Sequence, residues 1–259
     1  MNSLKFSILL SFFILPVFAS TIYAETIEKP HSITKRVEQD KPLPSLREGG
    51  AHGSHNPHAK LTPQMHVQVA LKHKAEGRMG EAFVALDQAI SMNSQSAELF
   101  AVRGSFYLEQ NNLSPALSDF ESALKIEPDS PAILTNRAQA YRQFGRIREA
   151  LQDLDKAIAL NPDLMAAYFN RGAIHYSSGE FELALKDFDA CIAIDPHAAG
   201  PYFNRASSKD ASGDHQGAIE DIKRFMEMAD NSQWKTTAQQ LLEKWQSALP
   251  GSDDVNSES

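Results

Sequence analysis

From residue 63 onward, apolar and polar positions follow helical patterns that recur every 34 residues. Within 181–194, apolar side chains fall at positions 181, 184, 185, 188, 191 and 192, the i, i+3, i+4 spacing of an amphipathic helix. A second amphipathic pattern covers 167–176, and Ser178-Gly179-Glu180 separates the two. Asp195-Pro196 ends the 181–194 pattern, because proline disfavours helix at the preceding residue. Each period therefore predicts two helices joined by a tight turn.

The same period appears in several columns of identical residues. The matching positions are Arg103, Arg137, Arg171 and Arg205; Ala82, Ala116, Ala150, Ala184 and Ala218; and Pro128, Pro162 and Pro196. Self-similarity of this length indicates stacked supersecondary units that share one continuous core. We predict five units, at 63–96, 97–130, 131–164, 165–198 and 199–232.

The columns of the second unit resemble the tetratricopeptide repeat. The residues that carry the resemblance are Phe100, Gly104, Tyr107, Ala116, Phe120, Ala123 and Pro128. The first and fifth units depart from the pattern, since Ser94 and Asp230 stand in place of the proline, as is expected of the ends of an array. The resemblance implies an all-α protein, a right-handed α-solenoid of five helix-turn-helix units.

A last amphipathic segment, 233–249, follows the fifth unit. Trp234, Leu242 and Trp245 lie on its apolar side. We expect this helix to cap the open apolar face of the last repeat; a role as a dimerisation or partner helix is the alternative. Residues 250–259 are predicted to be disordered.

The arginine column is matched by an aspartate column 16 residues later: Asp119, Asp153, Asp187 and Asp221. In the first unit both are absent, as Val69 and Ala85. Because the arginine and the aspartate are present together or absent together in a unit, we infer that they contact each other. We therefore predict a ladder of partly covered ion pairs. The alternative is that these arginines bind acidic partners.

In the tetratricopeptide family, the first helices line a concave groove that binds a peptide. Carried onto this sequence, the resemblance implies that the groove presents Asn136, Gln139, Arg142, Phe169, Asn170, Tyr176, Phe203 and Asn204. Side-chain amides could hydrogen-bond an extended backbone, and the aromatic rings could take apolar side chains. The asparagines could instead serve helix packing.

One specialised binding mode of the family is not predicted here. Some relatives hold a chaperone C-terminus with a two-carboxylate clamp of Lys and Asn residues on consecutive first helices. Only the asparagine column matches, because Ala101 and Ser105 precede it where the clamp needs Lys and Asn.

Composition limits the other functions. The chain has 259 residues, a formal net charge of −8 and no basic run, which argues against nucleic acid as a partner. No catalytic motif or cofactor site is evident, so we expect no enzyme activity and no cofactor. His175 and the single cysteine, Cys191, share a repeat but occupy core columns, where a thiol is inert.

The N-terminus predicts export. Lys5 precedes an apolar run of about 13 residues, and small residues follow it, as in a secretory signal. We predict a signal peptide over 1–24 with cleavage after Ala24, with cleavage after Ala19 or an uncleaved anchor as alternatives. The protein is then periplasmic or secreted, without stable membrane insertion.

Residues 25–62 are predicted to form a disordered linker, rich in proline, glycine and charge. Within it, His52, His55 and His58 could bind a transition metal, although no cysteine or carboxylate completes the set.

For the whole chain we predict an exported scaffold that binds protein or peptide in its groove and takes part in cell-envelope protein assembly. The alternatives are a metal-linked accessory factor and a membrane-tethered assembly subunit.

Overall fold

The computed structural model describes residues 61–249, and within this range it is all-α, with eleven helices and no strand. The helices are α1 Pro63–Ala75, α2 Met79–Met92, α3 Ala97–Glu109, α4 Leu113–Ile126, α5 Pro131–Gln143, α6 Ile147–Leu160, α7 Met165–Ser177, α8 Phe181–Ile194, α9 Ala199–Ala211, α10 His215–Met228 and α11 Ser232–Ser247. The predicted all-α fold class is confirmed. The predicted linker and the tail, 25–62 and 250–259, lie almost wholly outside the described residues.

The helices reproduce the sequence period. The first helices of the repeats begin at 63, 97, 131, 165 and 199, and the second helices begin at 79, 113, 147, 181 and 215. Each start is 34 residues after its counterpart. The first residue of each first helix coincides with the start of a predicted unit.

The turn inside each repeat depends on one left-handed residue. Gly77, Gly145, Gly179 and Gly213 have φ between +75° and +92°, and Asn111 occupies the same column with φ 57°. Glycine adopts this conformation without steric cost, and asparagine tolerates it better than most residues. In the fourth repeat the backbone N–H of Glu180 bonds to His175 O, which closes the turn.

Small residues let the two helices of a repeat approach closely. A Cβ built on Gly172 would lie 3.0 Å from Phe188 Cε1 and 3.1 Å from Asp187 Cβ. A Cβ on Gly104 would lie 2.9 Å from Phe120 Cε1. Alanine fills this column in the third and fifth repeats, as Ala138 and Ala206. At Gly104 and Gly172, therefore, even a methyl group would force the facing phenylalanine to shift.

The described residues divide into two compact parts, 61–146 and 147–249. The core of 61–146 is formed by apolar side chains of α1, α2 and α3, among them Leu86 and Phe106. Within this part α1 packs on α2, α3 packs on α4, and α5 contacts both α3 and α4.

In 147–249, each helix from α6 to α11 packs on the next, and the first helices α7 and α9 also touch. Phe203 of α9 packs edge-on against Phe225 of α10 and Trp234 of α11, with ring centroids 5.1 Å and 5.9 Å apart. Trp245 is buried in the same cluster. The side chain of Asn231 accepts hydrogen bonds from the first turn of α11. Helix α11 therefore packs over the apolar side chains of the last repeat.

Candidate functional site

Three arginines of the ladder each bind two aspartates. In the fourth repeat, Arg171 Nη2 lies 2.7 Å from Asp187 Oδ1, and its Nε also donates to that carboxylate. Arg171 Nη1 donates to Asp155 Oδ1 of the preceding second helix, at 2.7 Å. The buried aspartate lies 16 residues after the arginine, and the exposed aspartate lies 16 residues before it.

The same geometry recurs in the second and fifth repeats. Arg103 joins Asp119 to Asp87, and Arg205 joins Asp221 to Asp189. The matched columns of the sequence predict the first aspartate of each pair. The second aspartate was not predicted, although Asp87, Asp155 and Asp189 also follow the repeat period.

Aromatic rings cover the ladder arginines. The guanidinium of Arg171 lies 5.6 Å from the Tyr168 ring centroid, and that of Arg205 lies 5.5 Å from Tyr202. All three guanidinium nitrogens of these arginines already bond to aspartate, which also raises the pKa of each guanidinium. The contacts favour the structural role of the column over capture of an acidic partner.

Two predicted site residues, Asn170 and Asn204, lie on α7 and α9 with their amides held in one orientation. Asn170 Nδ2 donates to Ala166 O at 2.9 Å, and Asn204 Nδ2 donates to Gly200 O at 3.1 Å. Both residues are 4% exposed. Within residues 61–249, neither Oδ1 accepts a hydrogen bond from the protein, and neither is sealed from solvent. Each asparagine is therefore nearly buried, with an Oδ1 that the described residues leave unbonded but not fully covered.

A tyrosine and an aspartate occupy the last turns of the same two helices. Burial and the nearby Asp210 carboxylate raise the pKa of Tyr176 to about 12. Asp210 Oδ1 lies 2.9 Å from Nδ1 of the half-exposed His215. We call the surface of α7 and α9 that carries Asn170, Tyr176, Asn204 and Asp210 the first-helix face.

The two phenylalanines predicted to face a ligand are core residues, and that prediction is wrong. Phe169 is 2% exposed and packs edge-on against Phe188, with ring centroids 5.8 Å apart. Phe203 is 3% exposed and packs against Phe225. Their column is buried in every repeat, as Val67, Ala101, Thr135, Phe169 and Phe203. The sequence contained a signal for this burial, because four of the five residues in the column are apolar.

The remaining predicted residues, Asn136, Gln139 and Arg142, lie on α5 in the part 61–146 and are half-buried. Asn136 Nδ2 lies 3.5 Å from Ser105 Oγ of α3, so this amide bonds across two first helices. The asparagines of the column thus differ, because Asn136 contacts a neighbouring helix whereas Asn170 and Asn204 bond within their own.

His175 and Cys191 do not form a nucleophile and base. His175 Nδ1 lies 2.6 Å from Glu180 Oε2, and its Nε2 lies 3.9 Å from Asp187 Oδ2. Cys191 is fully buried and its thiol lies 3.5 Å from Met165 O. Burial and the nearby Asp187 raise the pKa of the Cys191 thiol, which keeps it protonated.

The predicted metal ligands His52, His55 and His58 lie outside the described residues. Within 61–249, no group of three histidine, cysteine or carboxylate side chains could hold a metal ion. In the same range, no helix has the length and apolar character needed to cross a bilayer.

Helix pairs stacked at a fixed period define a class of proteins, the helical repeat scaffolds. Family models described as tetratricopeptide repeat match residues 106–169 and 166–198. Residues 106–198 therefore consist of tetratricopeptide repeats. No curated protein matches it.

Solved structures with the same fold include three proteins of low sequence identity. TTC0263, a thermophilic tetratricopeptide repeat protein from Thermus thermophilus, is 18% identical with a TM-score of 0.60, over 70% of this chain and all of that one. PilW, titled a type IV pilus biogenesis factor, is 20% identical with a TM-score of 0.62, over 72% of this chain and 91% of that one. YrrB, titled a protein with an unusual peptide-binding site, is 18% identical with a TM-score of 0.53, over 82% of this chain and 99% of that one. At these identities the likeness concerns the fold.

Proposed function

We propose that this protein is an exported scaffold that binds a protein or peptide partner on its first helices and serves assembly in the cell envelope. The observation that carries the proposal is the first-helix face, where Asn170 and Asn204 present acceptors that the protein itself leaves unused. A tetratricopeptide repeat array is a scaffold for protein interaction, and acceptors at repeat spacing suit an extended peptide.

The proposed envelope role rests on two further points. The sequence of residues 1–24 has the charge and apolar pattern of a secretory signal. PilW, which has the same fold, is titled a pilus biogenesis factor. Fractionation of cells and N-terminal sequencing test export directly; we expect a mature chain that begins at Glu25, and an N-terminus at Met1 would contradict it.

Partner binding is tested by photocrosslinking in the source cells. A benzophenone-bearing phenylalanine analogue replaces Tyr176, which lies on the first-helix face and has a similar ring. The matched control carries the same analogue at Leu183, which is 43% exposed on the second helix α8. We expect a discrete crosslinked partner from position 176 and none from 183. Equal crosslinking from both positions would contradict a role of the first helices.

A further inference from the structure

We propose that the first-helix face takes a cationic, hydrogen-bond-donating peptide segment and rejects a carboxylate. This inference rests on the proposed function and specifies the chemistry of the partner. It follows from which polar groups of α7 and α9 are already bonded within the protein and which are left for a ligand.

The basic side chains of α7 and α9 are all engaged by carboxylates. Arg171 and Arg205 each bind two aspartates, and Lys209 Nζ lies 2.9 Å from Asp221 Oδ2. His175 lies against Glu180. A ligand carboxylate would therefore find no cation on these two helices without breaking an existing ion pair.

Three acceptor groups on the same helices have an oxygen that no described residue bonds. Donation of Nδ2 to a backbone carbonyl fixes each asparagine so that Oδ1, an acceptor, is the atom left over on Asn170 and Asn204. Asp210 has one partner, His215, which leaves its second carboxylate oxygen unbonded by the described residues. A ligand N–H or ammonium can satisfy these oxygens, whereas a ligand carboxylate cannot.

On α7 and on α9, the two residues of the first-helix face lie along opposite edges of a strip of the helix surface. Asn170 and Tyr176 are six residues apart, as are Asn204 and Asp210, which separates each pair by about 120° around its helix. The side chains between the edges include four small ones, namely Ala166 and Ala173 on α7 and Gly200 and Ser207 on α9. The two phenylalanine rings of the core column fall in the same sector but are buried. Of the four small residues, Ala166 and Ala173 are partly exposed, whereas Gly200 and Ser207 are buried. A peptide backbone can therefore approach the strip most closely on α7.

The electrostatics of the part 147–249 favour the same partner. It contains ten Lys and Arg residues against sixteen Asp and Glu residues, while 61–146 has eight against nine. The C-terminal ends of α7 and α9 add negative dipole potential beside Tyr176 and Asp210. The raised pKa of Tyr176 has the same cause in part, because the Asp210 charge disfavours a phenolate.

The test compares three peptides on the purified protein by fluorescence anisotropy. Each is amidated and about nine residues long, alternating glycine and alanine with lysine, glutamine or glutamate; such a peptide spans roughly 30 Å when extended. Measurements are made at about pH 8, above the ordinary histidine pKa, which limits the positive charge of imidazoles. We expect the lysine peptide to bind at least about tenfold more tightly than the glutamate peptide, with weaker preference at high salt.

Two variants assign the effect to the face. Asp210→Asn should weaken lysine-peptide binding by about three- to fivefold and leave the glutamine peptide unchanged. Its control, Asp163→Asn, removes the same charge from the loop before α7 and should have no effect. Asn170→Ala with Asn204→Ala should weaken all three peptides alike, because these acceptors bind backbone N–H groups. Circular dichroism confirms that each variant is folded.

Three outcomes would overturn the inference: equal or preferential binding of the glutamate peptide, no binding of any peptide, or an equal effect of Asp163→Asn. None of them bears on the crosslinking from position 176, so the proposed function is judged separately. A partner crosslinked at that position whose bound segment is acidic would reject this inference and support the scaffold role.

Discussion

Replacing Arg171 by alanine tests whether the ladder holds the repeats together. Asp187 is 3% exposed, and Arg171 supplies it with a bidentate pair of hydrogen bonds. Truncation leaves a buried carboxylate with the ring Nε2 of His175 3.9 Å away. Hydrogen bonds to charged groups each contribute about 1.5–3 kcal/mol. The arginine side chain is 23% exposed, so water can enter and replace part of this loss.

We therefore expect Arg171→Ala to lower the free energy of unfolding by about 2–4 kcal/mol. Urea denaturation followed by far-UV circular dichroism measures the change. Arg224→Ala is the control, because Arg224 and its partner Glu227 are both more than 60% exposed, and exposed pairs of this kind contribute about 0–1 kcal/mol. Asp155→Ala should also cost little, since Asp155 is 63% exposed.

A double-mutant cycle separates the two bonds of Arg171. The coupling free energy with Asp187 should exceed that with Asp155, because only Asp187 is shielded from water. Asp187→Asn should restore part of the stability of Arg171→Ala by removing the stranded charge. If Arg171→Ala costs no more than Arg224→Ala, the ladder is not what stabilises the stack.

The packing of the repeats makes three further predictions. Gly179→Ala should lower stability by about 1–2 kcal/mol, whereas Gly179→Asn should cost less, because Asn111 already adopts this conformation in the second repeat and no atom lies within 4 Å of the added Cβ; equal melting curves for the two variants would refute the backbone argument. Cys191 should resist iodoacetamide in the folded protein and react in urea, because it is buried and protonated; mass spectrometry would reveal native-state alkylation that contradicts this. Deleting 232–259 should lower the melting temperature and cause self-association visible by light scattering, because Phe203 and Phe225 lose the cover of Trp234 and Trp245; a monomer with unchanged melting would exclude the capping role.

The fold is closely predictable from the sequence because the repeat multiplies every local signal. A single proline or glycine is weak evidence, but Pro128, Pro162 and Pro196 in register indicate where each second helix ends. The arginine and aspartate columns likewise predict the contact between α7 and α8 that the structure shows. Periodicity thus identifies which residues are equivalent, so a helix end or contact inferred in one unit is expected in the others.

The surroundings of each side chain were harder to predict than the position of its residue within the repeat. Phe169 and Asn170 are neighbours on α7 and both are buried, yet the ring packs against Phe188 of α8 while the amide bonds to Ala166 O of its own helix. Their exposure depends on how α7 meets α8 and α9, which the sequence of α7 alone does not specify. The exposed aspartates were missed for a different reason, since comparison within a unit cannot reveal a bond to the unit before it.

The ladder also sets how the array can change length. The arginines reach 16 residues backward and 16 forward, so removing 165–198 as a block would bring Asp155 into the position that Asp189 holds for Arg205. A deletion that breaks the 34-residue register would leave a buried carboxylate without its arginine. The series stops at Lys223, which takes the place of the next outward aspartate, and at Gln239, where the next arginine would stand. Removing one whole repeat would therefore keep Arg205 between two carboxylates, whereas Lys223 at the end of the column could not pair with an arginine.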